Sequence, residues 1–138
     1  MSERVITNLL KDVKIPKMVL VHQKFKRPKI ETENIAPTII SQFEEDKFNS
    51  KIKPGMNICI TCGSRGISNI PLIIKTISDF CKSKGANPFV VPAMGSHGGA
   101  TAEGQLEILK SLGVTEESVG CPIKSSMETV VVGHTVVG

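Results

Sequence analysis

Hydrophobic and polar positions follow two different periods in the central part of the chain. Residues 57–62, Asn-Ile-Cys-Ile-Thr-Cys, form a short apolar run, which is typical of a strand buried on both faces of a parallel sheet. Residues 69–84 repeat apolar side chains at helical spacing and stop before Gly85, a residue that commonly ends a helix. Residues 89–92 predict the next strand, and 101–112 predict a second helix in front of Gly113. The pattern predicts two consecutive strand–loop–helix units.

Three outer segments complete the predicted elements. Residues 17–25 predict a first strand, entered after Pro16, and residues 36–47 predict a helix with Pro37 near its first position. Residues 129–138 form an apolar β segment that resembles a strand pair cut off in mid-domain. We therefore expect the chain to be a fragment of a longer protein. A natural edge hairpin is the alternative interpretation.

The order of these elements predicts the fold class. A strand, a helix and a second strand in the same sheet form a right-handed crossover in nearly all proteins, so the two central strands should be parallel. We expect an α/β fold with a Rossmann-like open, mainly parallel sheet, helices on both faces and an apolar β segment at its end. The 138 residues suit a single domain. We predict that residues 1–138 are the N-terminal part of a longer two-domain protein.

Composition and charge narrow the range of partners. The first thirty residues carry eight basic and two acidic side chains, a balance that could attract nucleic acid. Phe25 is the only aromatic residue among them, whereas proteins that bind single strands stack bases on several aromatics. No apolar stretch approaches the roughly 18–20 residues of a membrane span, and no signal peptide is recognisable. We predict no nucleic-acid partner, no membrane association and a cytoplasmic location.

The four cysteines are spaced irregularly, at positions 59, 62, 81 and 121. Cys59 and Cys62 have a spacing found in redox and zinc motifs. However, residues three apart on a strand point to opposite faces, so these thiols could not readily pair or share a metal ion. We predict buried, reduced thiols and no metal site.

Two polar loops follow the two central strands, at residues 63–68 and 94–100. Ligands of open α/β sheets bind at the carboxyl edge of the strands, where both loops should open. His97 is suited to proton transfer near neutral pH, and Arg65 can clamp a carboxylate or phosphate with two parallel hydrogen bonds. Glycines allow the backbone to approach a ligand closely. The remaining candidate binding residues are Ser64, Gly66, Gly95, Ser96, Gly98 and Gly99.

Structural roles are the alternatives for these side chains. Arg65 could pair with a surface acid, and His97 could hydrogen-bond a loop carbonyl. The second loop is neither a dinucleotide fingerprint nor a Walker loop, and the chain has no Gly-x-Ser-x-Gly element, which argues against a serine hydrolase. His22 lies in a predicted strand and His134 in the terminal segment, and we interpret both as structural.

The two loops resemble those of a known family. The sequences Cys-Gly-Ser-Arg-Gly-Ile-Ser at 62–68 and Ala-Met-Gly-Ser-His-Gly-Gly-Ala-Thr-Ala-Glu-Gly at 93–104 are similar to the N-terminal domain of the nickel-dependent lactate racemase family, over roughly residues 55–135. The resemblance implies a Rossmann-like domain paired with a C-terminal domain, with a nickel-pincer nucleotide between them. It also implies that hydride leaves and returns at the α-carbon of a 2-hydroxy acid. By motif, His97 is the acid/base for the hydroxyl proton and Arg65 contributes to the anionic site.

The departures from the family pattern bear on the substrate. The first loop is Gly-Ser-Arg-Gly at 63–66, where the family usually has an acidic residue and Thr-Arg-Pro, and Gly98 stands where it usually has arginine. The resemblance therefore leaves open which 2-hydroxy acid is bound. The family's cofactor-anchoring lysine and nickel-binding histidine belong beyond this region. We expect the 138 residues alone to be inactive and to carry no bound cofactor.

Three functions follow as hypotheses. The first is the N-terminal domain of a lactate racemase-like isomerase, whose partners are an anionic 2-hydroxy acid and its own C-terminal domain. The second is a non-catalytic α/β module that binds phosphate or carboxylate. The third is an interaction domain that needs its missing half to cover the apolar end of the chain, which would cause the fragment to self-associate.

Overall fold

The computed structural model describes residues 7–8, 10–14, 17–26 and 28–135, and of Asp46 it describes the backbone only. Within these residues the fold is mixed α/β, as predicted. The helices are α1 (Thr32–Phe43), α2 (Asp46–Asn49), α3 (Ile70–Ser83), a 3-10 turn (His97–Ala100), α4 (Ala102–Ser111) and α5 (Glu116–Val119), and the strands are β1 (Asn57–Cys62) and β2 (Asn87–Pro92).

Strands β1 and β2 form a parallel pair, as the crossover rule predicts. Their register runs from Asn57 opposite Asn87 to Cys62 opposite Pro92, so both strands end at the same level. Helix α3 connects them. It begins after Asn69, has Pro71 in its first turn, where a missing N–H costs nothing, and ends before Gly85, whose φ is +75°. The central strand–helix–strand unit is therefore confirmed, with bounds within two residues of those predicted.

A short segment after α5 extends the sheet beyond β2. Ile123 bridges Val90 in the parallel sense. The N–H of Val90 donates to the carbonyl of Pro122 at 2.8 Å, and the N–H of Lys124 donates to the carbonyl of Val90 at 2.8 Å. The second strand–loop–helix unit thus returns the chain to the sheet as the first one does, and β2 lies between its two neighbours.

The hydrophobic core lies on one face of this sheet. In β1 the buried residues Ile60 and Cys62 alternate with exposed Cys59 and Thr61, so the strand is not buried on both faces as predicted. The prediction of helices on both faces is likewise wrong within the described residues, because the packed helices share a single core. Its members are Ile60, Cys62, Ile70, Ile74, Val90, Met94, Leu109, Val114, Val119 and Cys121.

The two outer β segments do not form strands in the described part of the chain. Residues 17–26 are assigned to no strand, and Met18, Val19, Leu20 and Val21 are 76–103% exposed. Residues 129–135 are likewise assigned to no strand, with the three valines at 130–132 79–96% exposed, and 136–138 lie outside the described residues. A strand needs a neighbouring strand for its backbone hydrogen bonds, so β-forming composition alone does not produce one.

Helix α1 begins at Thr32, four residues before the predicted start, so Pro37 lies inside it rather than near its first position. Pro37 and Glu33 are both exposed, so the carbonyl that proline leaves unpaired can bond water. The helix packs against α3, with the ring of Phe43 5.4 Å from that of Phe80. It therefore supports α3 from outside the sheet.

None of the helices in the described ranges is both long enough and apolar enough to cross a membrane.

Candidate functional site

The two glycine-containing loops lie at the same edge of the sheet, as predicted. One follows β1 at 63–69 and the other follows β2 at 93–101. The N–H of Ala93 donates to the carbonyl of Cys62 at 2.7 Å, so the ladder continues one residue past β2 and holds the two loops side by side from their first residues. Parallel pairing in register therefore makes the two loops a single surface.

A side-chain hydrogen bond joins the loops directly. The hydroxyl Oγ of Ser64 lies 2.5 Å from Nδ1 of His97, across 33 residues of sequence. Ser64 is half-buried and His97 is exposed, and Nε2 of the imidazole has no hydrogen-bond partner among the described residues. The ring is thus fixed through one nitrogen, and its other nitrogen is accessible to a ligand.

Arg65 is a positively charged side chain on the surface that the two loops form. It is exposed, and its guanidinium makes no hydrogen bond or ion pair with any residue that the structure describes. The described ion pairs join Lys29 to Glu31, Lys47 to Glu45 and Lys75 to Asp79. No surface acid of the described residues therefore pairs with Arg65, and its planar set of N–H donors is available to an anion.

Backbone donors accompany these side chains. The N–H groups of Arg65, Gly66 and Ser96 donate to no group in the described ranges. Gly95, Gly98 and Gly99 have φ of +59°, +65° and +67°. Successive N–H groups in such turns can converge into a concave anion site. The side chain of Ser96 is exposed and makes no described hydrogen bond, so it is available to a ligand as well.

Gly98 and Gly104 hold the second loop against helix α4. A Cβ added to Gly98 would lie 2.5 Å from the carbonyl carbon of Gly104 and 2.7 Å from the backbone nitrogen of Gln105. A Cβ added to Gly104 would in turn clash with the backbone carbonyl of Gly98. Two glycines are required here because the backbones pack directly on each other.

Gln105 and Thr101 complete the support of the loop. The amide nitrogen Nε2 of Gln105 donates to the carbonyl of Gly95 at 2.9 Å and is 3.5 Å from the carbonyl of His97, and Gln105 is only 6% exposed. Thr101 is the N-cap of α4. Its hydroxyl accepts from the N–H of Gly104 at 3.0 Å and donates to the carbonyl of Gly98 at 3.1 Å. The backbone that carries His97 is therefore fixed by helix α4.

Gln105 was not among the predicted site residues, although the sequence pattern of helix α4 indicates its role. Gln105 precedes the buried Leu109 by one helical turn and is a polar residue on the core side of an amphipathic helix. Buried polar side chains normally have hydrogen-bond partners, so a glutamine in this position indicates a nearby backbone that needs a donor. The alternative in which His97 bonds a loop carbonyl through its ring is wrong, since the ring bonds Ser64.

The Cys62 thiol adjoins the first loop, where its Sγ donates to the carbonyl of Gly63 at 3.7 Å. Cys62, Cys81 and Cys121 are buried and Cys59 is exposed, with Cys59 and Cys62 on opposite faces of β1 as predicted. Burial raises the pKa of the Cys62 thiol. Burial, together with the neighbouring Cys121, raises the pKa of Cys81. A raised pKa favours the protonated, unreactive form. Among the described residues no group of three or more His, Cys, Asp or Glu side chains could hold a metal ion.

Three cavities lie mainly beside the helices. One of about 450 Å³ lies between α1 and the start of α3, is lined by Ile30, Ile35, Ile39 and Ile73, and reaches Ser68 and Asn69 at the end of the first loop. One of about 430 Å³ separates α1 from the end of α3, and one of about 260 Å³ lies beside Leu106 and Ile123. Residues 63–66 and 95–99 line none of these three cavities.

No protein-family model, no curated protein and no solved structure matches this chain.

Proposed function

We propose that this chain is the N-terminal domain of a lactate racemase-like isomerase, which racemises or epimerises a 2-hydroxy acid between this domain and a C-terminal domain. The observation that carries the proposal is the hydrogen bond between Ser64 and His97, which joins the two loops beside an unpaired Arg65. This arrangement offers an acid/base and an anion clamp on one surface, as the loop motifs of that family imply.

The anionic end of the substrate is bound by Arg65 in this proposal. A guanidinium with no protein partner can form two parallel hydrogen bonds to a carboxylate, and the unpaired N–H groups of Arg65, Gly66 and Ser96 add neutral donors. The described salt bridges involve neither loop, so no carboxylate of the described residues is paired with the guanidinium. A 2-hydroxy acid has a carboxylate and a hydroxyl on neighbouring carbons, which suits an anion clamp beside an imidazole.

In this proposal His97 accepts and returns the proton of the substrate hydroxyl. Its Nδ1 is engaged by Ser64, so proton exchange with a ligand takes place at Nε2. A positioned imidazole typically contributes about 10²–10⁴-fold to a rate through general acid–base catalysis. The same loop contains Ser96 and the backbone of Gly95, Gly98 and Gly99. In this proposal these groups limit how the substrate hydroxyl can approach the ring.

The proposal includes a nickel-pincer nucleotide in the complete protein. The residues fit the anionic part of such a nucleotide, because Arg65 and the unpaired loop N–H groups are suited to phosphate as well as carboxylate. Among the described residues no group of three or more His, Cys, Asp or Glu side chains could hold a metal ion, and the resemblance puts the nickel-binding histidine beyond this region. The chemistry that the cofactor supplies when bound is reversible hydride removal at the α-carbon, and the chain itself supplies anion binding and proton transfer.

The Rossmann-like form of the fold is also part of the proposal. The parallel order of β1, β2 and the segment at Ile123 is that of a sheet still open at its β1 edge. The exposed apolar residues at 18–21 and 130–132 provide surface that the C-terminal domain would cover. We propose that the chain self-associates through such surface when that domain is missing.

A non-catalytic module for phosphate or carboxylate is the second candidate. The unpaired guanidinium favours it, since Arg65 and the loop N–H groups would bind an anion without any proton transfer. The two candidates differ in the ligand they prefer. A racemase domain should bind a 2-hydroxy acid through both His97 and Arg65, whereas a simple anion module should prefer the more highly charged phosphate.

Replacing Arg65 with glutamine should lower the ligand-induced stabilisation of the 138-residue chain to about 0.4 kcal/mol or less in lactate at ten times the wild-type Kd. Hydrogen bonds to charged groups contribute about 1.5–3 kcal/mol, so affinity should fall by at least about tenfold. Wild-type chain in lactate at ten times its Kd should gain about 1.4 kcal/mol of unfolding free energy. Thermal unfolding in lactate and in inorganic phosphate, at constant ionic strength, measures both effects.

Lys53→Gln is the matched control, because it removes the same charge from an exposed turn outside the two loops. This variant should respond to lactate as the wild type does. Equal losses in both variants would show that net charge, rather than the Arg65 clamp, attracts the anion, and an unchanged response of Arg65→Gln would refute the clamp. A response to phosphate with none to any 2-hydroxy acid would favour the binding module.

A further inference from the structure

We infer that Ser64 is a positioning residue for His97, rather than one that binds the anion itself. The inference rests on the proposed function for its catalytic meaning, and it assigns the orientation of the imidazole to one hydroxyl of the neighbouring loop. Its direct consequence is that Nε2 faces the ligand surface in every protonation state of the ring.

The geometry divides the support of His97 between two elements. The backbone of His97 is held from helix α4, through Gln105, and from its own loop, where its N–H donates to the carbonyl of Met94 at 3.2 Å. The ring has a single described partner, Oγ of Ser64 at 2.5 Å, which comes from the loop after β1. Among the described residues, Ser64 is therefore the only hydrogen-bond partner that restrains rotation of the His97 side chain.

The hydroxyl of Ser64 is free to serve this purpose. No other described residue hydrogen-bonds to its oxygen, and Ser64 is half-buried while His97 is exposed. The hydroxyl is consequently not committed to a backbone carbonyl, as the hydroxyls of Thr76 and Ser83 on helix α3 are. Its position in the loop is set by β1, which ends two residues earlier at Cys62.

A hydroxyl has a property that a carboxylate lacks in this position. It can donate to an unprotonated Nδ1 and can accept from a protonated one, because it carries one hydrogen and two lone pairs. When Nδ1 carries a proton, Nε2 of the neutral ring is a base. When Ser64 donates to Nδ1, Nε2 carries the proton and is a donor to an anionic oxygen. The contact can therefore persist as the ring gains and loses a proton.

The test compares Ser64→Ala with Ser64→Thr, which keeps the hydroxyl. In the isolated chain, three-bond couplings of His97 measured by NMR should indicate one side-chain rotamer in the wild type and in Ser64→Thr. They should indicate rotamer averaging in Ser64→Ala, while amide signals outside the two loops stay in place. Unchanged couplings in Ser64→Ala would overturn the inference. If the alanine variant fails to fold, Ser64→Cys replaces it, since a thiol is of similar size but only a weak hydrogen-bond donor.

The same variants separate this inference from the proposed function. In the two-domain, nickel-loaded protein, Ser64→Ala should lower kcat by about 10–100-fold with little change in KM, because misplacing a catalytic group affects the chemical step. Ser64→Thr should restore at least part of the rate. Full activity of Ser64→Ala would refute the positioning role while leaving the isomerase intact. Absence of activity in the wild type, with the rotamer difference present, would refute the isomerase and leave the role of Ser64 in fixing the ring.

Discussion

In the proposed two-domain isomerase, replacing His97 with alanine should lower the rate of interconversion of 2-hydroxy-acid enantiomers by about 10²–10⁴-fold. The reason is that His97 has the only imidazole nitrogen held at the junction of the two loops, within the residues that the structure describes. The loss should appear in kcat, since the proton is transferred in the chemical step. Chiral chromatography of a single-enantiomer substrate over time gives the rate, and nickel content should be unchanged.

His22→Ala is the control for loss of an imidazole as such. His22 is exposed in the extended segment at 17–26 and has no described hydrogen bond. Its replacement should leave turnover within about twofold of the wild type, as expected for a surface change away from the site. Turnover unchanged by His97→Ala would refute the assignment. A parallel loss of nickel in that variant would instead place His97 near the metal.

Replacing Gly104 with alanine should lower the free energy of unfolding by about 2–3 kcal/mol, the upper part of the usual range for overpacking. Helix propensity alone predicts the opposite sign, because alanine is favoured over glycine in a helix interior by about 1 kcal/mol. The added Cβ would lie 2.8 Å from the carbonyl carbon of Gly98 and 2.9 Å from Oγ1 of Thr101. Since one of these neighbours is backbone, the loop that carries His97 has to move. Denaturant unfolding of the 138-residue chain measures the sign.

Gly66→Ala is the matched control for this prediction. A Cβ there meets nothing within 4 Å, and Gly66 has no positive φ, so the change should stay within about 0.5 kcal/mol. Gly104→Ala should also shift the amide signals of residues 95–99, whereas Gly66→Ala should leave those signals largely in place. A Gly104→Ala chain as stable as the wild type, or more so, would show that the two glycine backbones are not packed together.

The central strand–helix–strand unit could be predicted from sequence because its signals are local. Helix α3 has helical spacing of apolar residues, a proline in its first turn and Gly85 behind it. Strand β1 is a short β-branched run between a turn and a loop. Each signal acts within a few residues, so no information about distant partners was needed.

The predictions that were wrong depend mainly on packing against distant strands and helices, which a single sequence does not identify. Residues 17–25 and 129–138 have strand composition, yet the described parts of both form no strand, because a strand depends on a neighbouring strand as well as on its own side chains. The apolar run of β1 predicted burial on both faces, but whether Cys59 is covered depends on elements packed from elsewhere. The start of α1 was misplaced because a proline usually lies in the first turn of a helix, whereas Pro37 lies inside α1.

The candidate site was predictable at the level of loops but not of contacts. Parallel strands imply that their carboxyl ends meet, and this placed Arg65 and His97 on one surface. The bond from Ser64 to the imidazole depends on loop geometry and strand register, which spacing does not reveal. The support by Gln105 was likewise missed, because its burial depends on how helix α4 packs against the second loop.

In the proposed function, the two loops form one binding surface for an anionic 2-hydroxy acid, with Arg65 and His97 as its polar groups. The most direct measurement is a titration of the ¹⁵N-labelled chain with lactate, malate and other single-enantiomer 2-hydroxy acids, followed through the backbone amides and the His97 ring. At least one of these acids should move the signals of residues 63–66, 95–99 and the ring together along one saturating curve. Signals that stay in place for every acid tested, or that move only around the cavity between α1 and α3, would contradict the account.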